Sequence, residues 1–329
     1  MAKTPNAQIT ISKSGIKENS KVNIKKIKIE NNRIGTKSLH LMMVPGLILL
    51  LIYAYLPMIG LVIAFQDFNI GKGISAFWRS EWVGLMHFRR VFTNPDFSRA
   101  LFNTLYIATM KIVTMFFVPL IFSLLLNEVR KSFVKRSIQT LIYLPHFLSW
   151  VILAGILKDI LATDGLINTT LYQLFGLKPY FFLGDKALFP HILVWSNVWK
   201  EFGFSTIIYL AAITSIDPSL YEAAIVDGAN RWKQTLHVTI PGMMPIIILT
   251  LVLSLGGILN AGFEQVFNLY SAPVYETGDI IDTLVYRLSI VGGQYDLGTA
   301  VGLFKSVVSM ILVSLSYWMA YKFANYEIF

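Results

Sequence analysis

Six apolar runs, at about 41–65, 101–126, 138–160, 189–213, 243–264 and 301–324, decide what this chain can fold into. Each is long enough to cross a hydrocarbon layer as a helix, which takes about 20 residues. In such a layer every backbone N–H and C=O must find its partner within the segment, so consecutive runs of this length read as transmembrane helices. Of the 329 residues, 55% are hydrophobic and only 14% charged, more apolar surface than a soluble domain of this size can bury. The expected fold class is therefore an all-α integral membrane protein with six transmembrane helices. Pro57, Pro119, Pro145, Gly203, Gly256 and Gly257 fall inside the runs; membrane helices tolerate them when neighbours re-satisfy the backbone. The 138–160 run, with Pro145 and His146 inside it, reads either as a span or as a re-entrant or interfacial helix.

The remaining residues divide the chain into four parts. Residues 1–40 form a polar, lysine-rich tail, too long for the n-region of a cleavable signal. The first transmembrane helix covers 41–65, an extracytoplasmic segment covers 66–100, and a core of five spans covers 101–326. Sixteen Lys/Arg lie in the tail, the 127–137 and 217–241 loops and at Lys322, against eight in the alternate loops. This asymmetry predicts both termini inside, although the basic 66–100 segment runs against it. The net charge of +9 is thus a membrane-orientation signal. It lacks the aromatic interleaving of a nucleic-acid platform, and no nucleic-acid partner is expected. Within 66–100, Trp78, Trp82, Phe88, Arg89, Arg90 and Phe92 suit a helix lying on the outer membrane surface, or a loop anchored by interfacial aromatics. The chain has no cysteine, so no disulfide framework and no cysteine-ligated metal is expected.

The stretch from Asp217 to Pro241 interrupts the spans with a built local structure. Asp217 suits an N-cap with Pro218 at the first helical position, and Gly228 suits a left-handed terminator. A second short helix is expected from about Asn230 to Leu236. The string Glu222-Ala223-Ala224-x-x-Asp227-Gly228-Ala229, followed by Ile240-Pro241 and Pro245, resembles the cytoplasmic EAA loop of permease subunits of binding-protein-dependent ABC importers. The resemblance runs from about Arg99 to the C-terminus and is nearest to the carbohydrate permeases of the maltose-type superfamily, in the complex-oligosaccharide branch. Asn103-Thr104 and Tyr143-Leu144-Pro145 fit that branch; Leu236 and Ile240 depart from the usual family pattern.

The resemblance implies a type I ABC importer permease fold in the cytoplasmic (inner) membrane of a prokaryote. It implies a heterodimer with a second permease, two ATPase subunits that bind ATP and Mg, an extracytoplasmic solute-binding protein, and surrounding membrane lipid. It assigns Glu222, Ala223, Ala224, Asp227, Gly228, Ala229 and Pro241 to a coupling helix docked in an ATPase cleft. The sequence has no Gly-x-x-x-x-Gly-Lys-Ser/Thr (Gly71-Lys72-Gly73 lacks the spacing), so the chain is expected to hold no cofactor. Its five histidines form no metal-ligand pattern and no nucleophile–base set is visible, so it is expected not to be an enzyme. The alternatives are a permease for another solute class or an ATP-independent secondary transporter, for which the inverted repeats of such carriers are not evident.

Polar residues inside the spans are the candidates for a substrate path, since charge at membrane depth faces a cavity or a partner. They are Trp195, Asn197, Trp199, Lys200 and Glu201 in the fourth span and Asn260 and Glu264 near the end of the fifth, with Gln265 and Asn268 beside them; this second group suits either the path or simply the exit of the span into solvent. Tryptophans next to polar groups suit sugar rings; packing aromatics around a structural ion pair would look the same. Lys200 and Glu201 project about 100° apart on a helix, so each is expected to find a partner elsewhere, Lys111 and Glu264 being the candidates. The basic outer segment (Lys72, Arg79, Arg89, Arg90, Arg99) suits either attraction of acidic oligosaccharides or contacts with the binding protein and lipid headgroups.

Overall fold

The computed structural model describes residues 33–324, and the expected tail over 1–40 lies almost wholly outside them. The chain forms two units, Met1–Pro57 and Met58–Phe329. In the first, α1 (Arg33–Leu50) runs into a π-helical turn, Leu51–Tyr55. The apolar helical stretch Ser38–Phe65 is one of four helices long and apolar enough to span; the others are Pro95–Asn127, Arg231–Gly256 and Tyr295–Met319.

In the second unit, the segment 66–100, which suits a surface helix or an anchored loop, is a series of short pieces. Asp67 N–H donates to Glu81 O (2.9 Å) and Val83 N–H to Phe65 O (2.9 Å). Within this segment α2 (Met86–Thr93) buries His87 and Val91 and leaves Arg89 and Arg90 exposed. Trp78, Trp82 and Phe92 are also exposed, as interfacial anchors would be. Asn94 Oδ1 accepts from Asp96 N–H (2.9 Å), and with Pro95 at the first position it starts α3 (Pro95–Asn127). Both devices satisfy or remove amide donors that a helix start leaves open.

The third expected span breaks at Pro145. Pro145 lacks the N–H a helix interior needs; α4 (Ser132–Tyr143) gives way to a tight turn at Leu144–Phe147, and Ser149 caps α5 (Trp150–Leu161). The stretches Ser132–Phe147 and Trp150–Phe175 are bent 102° apart, the latter ending in α6 (Leu166–Phe175). The next helix, α7 (Leu188–Thr214), packs lengthwise against α3. After α8 (Pro218–Val226) comes α9 (Arg231–Gly256), so the expected separate helix at 230–236 is the start of the fifth span, joined through a π turn at Thr235–Thr239.

That span also ends earlier than 264. Gly256 and Gly257 close α9, Gly262 adopts φ +94°, a left-handed geometry that favours glycine, and α10 (Phe263–Leu269) restarts the chain. The irregular segment that follows is tied to α3 by side chains. Asn103 Nδ2 donates to Glu276 O (3.1 Å) and Asp279 O (3.0 Å), and Thr104 Oγ1 accepts from Ile281 N–H (2.9 Å) at the start of α11 (Ile281–Tyr286). The last helix, α12 (Tyr295–Ala324), packs on α9, α11 and α2.

Three apolar clusters hold this unit. One centres on Ile107, Phe189, Leu193 and Val266, and another on Phe97, Leu259, Ile281 and Val301. The third, around Leu126, Tyr209, Ile213, Ile216, Met243 and Ile247, also takes in Val129, Ile138, Tyr221 and Val238. It therefore brings the α3–α4 junction and the 217–241 loop to the same end of the unit.

Candidate functional site

The 217–241 loop has the local structure its residues imply. Asp217 Oδ1 accepts the Ser219 N–H at 2.9 Å, which holds the Asp217 carboxyl below its ordinary value. Gly228 sits at φ +75°, and Ala229 N–H reaches back to Ala224 O at 2.8 Å, closing α8. Asn230 then caps α9 by accepting from Lys233 N–H (2.9 Å), while Gln234 Nε2 donates to Ala229 O (2.9 Å). The Tyr221 and Thr239 hydroxyls, 3.0 Å apart, join α8 to α9. Glu222, Ala223, Asp227, Gly228 and Pro241 are exposed, and Ala224 and Ala229 half-buried. The carboxylate of Glu222 has no partner among the described residues. A small rigid knob with a free carboxylate and two alanines on its surface is thus presented to whatever meets this end.

The break between α9 and α10 organises a second group. Lys111, 8% exposed on α3, donates from Nζ to Ala261 O and Gln265 Oε1, each at 2.5 Å. Gln265 is fully buried, and its Nε2 donates to Leu193 O (2.7 Å) and Ser196 Oγ (2.8 Å) on α7. Lys111 and Gln265 therefore staple the broken span to α3 and α7. Beside them lies a cavity of about 230 Å³ lined by Lys111, Asn197, Ser254, Asn260 and Gly262. Asn260 and Gly262 also line a second, wider cavity of about 610 Å³ with Phe263, Asp282, Tyr286 and Ser289. Asn197 and Asn260, from two separate polar groups of the sequence, thus line one space. Glu264 does not join them: it is exposed, and Asn268 Nδ2 turns back to its backbone oxygen (2.7 Å).

The expectation for Lys200 and Glu201 fails. Lys200 Nζ pairs with Glu201 Oε1 at 2.8 Å and donates to His146 O at 2.9 Å, and Glu201 Oε2 meets His146 Nδ1 at 2.7 Å. The 100° between adjacent Cα–Cβ directions is bridged because both side chains bend toward the carbonyl and ring exposed by the break at Pro145. The His146 ring stacks on Phe204 with centroids 4.1 Å apart, and Lys200 lies over Trp150. Neither Lys111 nor Glu264 takes part. Trp195 and Trp199, four residues apart, are 58% and 43% exposed on α7, away from this clasp. The Lys111–Gln265 staple was not anticipated as a unit; its only sequence signal is a lysine and a glutamine set in apolar runs.

Comparison with known proteins follows the same lines. A sequence profile described as "Binding-protein-dependent transport system inner membrane component" matches residues 115–325. Protein LplB of Bacillus subtilis (strain 168) is 45% identical over 294 residues, 89% of this chain and 91% of that one. The polygalacturonan/rhamnogalacturonan transport system permease protein YteP of the same organism is 45% identical over 296 residues, covering 90% and 91%. A chain in the crystal structure of a bacterial alginate ABC transporter, in complex with an alginate pentasaccharide-bound periplasmic protein, is 39% identical. It superposes with a TM-score of 0.80, covering 88% of this chain and 96% of that one.

Proposed function

The chain belongs to the binding-protein-dependent transport system inner membrane components, and from that premise we propose that it is the permease subunit of an ABC importer for acidic oligosaccharides. The observation that carries the coupling role is the capped α8 with an unpartnered Glu222 beside Ala223 and Ala224. A short helix with small residues and one free carboxylate fits a cleft with a basic group, and a charge pair desolvated there couples strongly. ATP and Mg are held by two separate ATPase subunits, a second permease completes the pathway, and an extracytoplasmic binding protein delivers the solute.

Six spans fit this reading. To the four long apolar helices it adds the bent pair Ser132–Phe147 and Trp150–Phe175 as one crossing. It also adds α7, whose 27 residues reach about 40 Å at 1.5 Å per residue. With both termini inside, the 217–241 loop faces the cytoplasm, on the side favoured by the Lys/Arg count. The parts are then the tail 1–40, the first helix 41–65, the outer segment 66–100 and the core 101–326, in a prokaryotic inner membrane. Closure of the ATPases on ATP moves α8 and with it the helices packed on its base, alternating access to the cavities beside Lys111, Asn197 and Asn260. Trp195 and Trp199 stand on the exposed face of α7, where the second permease would meet it across the pathway.

The acidic substrate class is supported by the relatives named for polygalacturonan/rhamnogalacturonan and alginate transport and by the basic outer residues Arg79, Arg89, Arg90 and Arg99. The test has two arms. Glu222→Lys in the reconstituted importer is expected to abolish solute-stimulated ATP hydrolysis while leaving membrane insertion intact; unchanged stimulation overturns the coupling role. Uronate oligosaccharides are expected to compete for uptake where neutral ones do not, and equal competition removes the acidic assignment.

A further inference from the structure

The α3–α4 junction carries a surface that coupling and transport do not use. Arg130, Lys131, Lys135 and Arg136 place four cations within seven residues, directly after α3 ends at Asn127. None has a carboxylate partner among the described residues. Phe133 lies between them and is 81% exposed, with Leu141 70% and Val134 39% exposed. At about 100° per residue these three side chains fall within one arc of α4, while Ile138 turns inward against the cluster that includes Ile216, Tyr221 and Met243. An exposed apolar arc flanked by unpaired cations matches a helix that enters the membrane through its interface.

We propose that Arg130, Lys131, Lys135 and Arg136, with Phe133, form a binding site for an anionic phospholipid of the cytoplasmic leaflet. The phosphate lies among the cations and the upper acyl chain lies on Phe133, Val134 and Leu141. This inference rests on the topology proposed above, which puts the α3–α4 junction inside. Two observations select a lipid over an acidic protein. The cations begin three residues beyond the end of a spanning helix, at headgroup depth, where basic clusters recruit anionic lipid. The apolar arc shares α4 with Lys135 and Arg136 and starts just after Arg130 and Lys131, and an acidic protein surface would leave Phe133 without an apolar partner. The site shares its end of the molecule with α8 through that same cluster, so lipid held there would brace the base of the coupling loop.

The test uses the intact importer, purified in detergent and exposed to phosphatidylglycerol or phosphatidylcholine, with retained lipid read by native mass spectrometry. Wild type is expected to keep phosphatidylglycerol in preference to phosphatidylcholine. The variant R130Q/K131Q/K135Q/R136Q should lose that preference by at least about tenfold, the effect of one to two cations at an anionic surface. The milder K135Q/R136Q serves if the fourfold variant assembles poorly, and Phe133→Ser should shorten retention of the same lipid. An unchanged preference in the glutamine variants overturns the site, as does competition by inorganic phosphate at the lipid's own concentration. Loss of the ATPase subunits from the fourfold variant in phosphatidylcholine alone would instead make the cluster a protein contact, and also overturns it. The chain has no cysteine, so Ser132→Cys reports sidedness by itself. Labelling by an impermeant maleimide from outside sinks the topology; labelling only from inside, with lipid preference unchanged, sinks the lipid site alone.

Discussion

Replacing Gln265 by leucine tests the staple that holds the broken fifth span. The side chain is fully buried and makes three hydrogen bonds, so leucine keeps most of the volume and removes all three. Their losses are unequal. Ser196 Oγ retains its bond to Ile192 O (2.6 Å), and Leu193 O remains an acceptor within its own helix, so these two cost fractions of a typical bond. Lys111 loses its one side-chain acceptor among the described residues and keeps Ala261 O. A hydrogen bond to a charged group is worth about 1.5–3 kcal/mol, and a buried cation left short of partners costs the upper part of that range. The expected total is about 3 kcal/mol. For a chain of 329 residues, with an unfolding entropy of about 2.1 cal/mol/K per residue, that lowers the melting temperature by about 4 °C.

The control is Lys111→Met together with Gln265→Leu. It removes cation and acceptor at once, leaving an apolar contact where a buried charge had been, so that the neutral Ala261 O, and no buried cation, is left short of a partner. The double variant should therefore melt above Gln265→Leu alone, with a coupling energy of about 2 kcal/mol across the cycle. Tryptophan fluorescence during heating in detergent measures all four members. If Gln265→Leu melts within about 1 °C of wild type, or if the two substitutions simply add, Lys111 does not depend on Gln265 and the reasoning fails.

Other consequences follow from neighbouring contacts. A Cβ on Gly203 would stand 2.6 Å from the Ile142 carbonyl carbon, against backbone that cannot swing away. Gly203→Ala should therefore cost about 1–3 kcal/mol and loosen the Lys200–His146 contact; a melting temperature at or above wild type would refute it. The Ser219 N–H depresses the Asp217 carboxyl below its ordinary value of 3.8. Its contribution to α8 is thus fully present above 3.8 and is lost as the pH falls through the lower folded value. Amide exchange at Ser219–Tyr221, corrected for its intrinsic rate, should rise over that acid range in wild type and stay flat in Asp217→Asn.

The residues that specify local structure were readable in the sequence, and those that specify distant contacts were not. Asp217, Pro218 and Gly228 act within a few positions of themselves, so the capped α8 follows from their chemistry alone. Asn197 and Asn260 belong to separate polar groups in the sequence, and only the packing of α7 against the broken fifth span brings them to one cavity. The staple joins positions 111 and 265, and no period in the sequence links them. Hydropathy continues past Gly257, so the apolar pattern alone extends the fifth span to 264, beyond its end at Gly256. Only the backbone shows that Gly262 turns left-handed and lets the chain restart at Phe263.

The error over Lys200 and Glu201 points to a rule that covers both lysines. A charge inside a span was expected to seek an opposite charge, so a carboxylate was sought for each. Each ammonium group donates to a carbonyl freed where a neighbouring span breaks: Lys200 to His146 O beside Pro145, in addition to its pair with Glu201, and Lys111 to Ala261 O beside Gly262. An open carbonyl in the membrane interior lacks water as well as a helical partner, so it is as much in need of a donor as the cation is of an acceptor. The arrangement satisfies both at once and fixes where each broken helix sits against its neighbour. Asn103 does the same without charge for the carbonyls of Glu276 and Asp279. In a chain of this kind, a donor in one apolar run is to be matched to the Pro or Gly break in another as well as to residues of opposite sign.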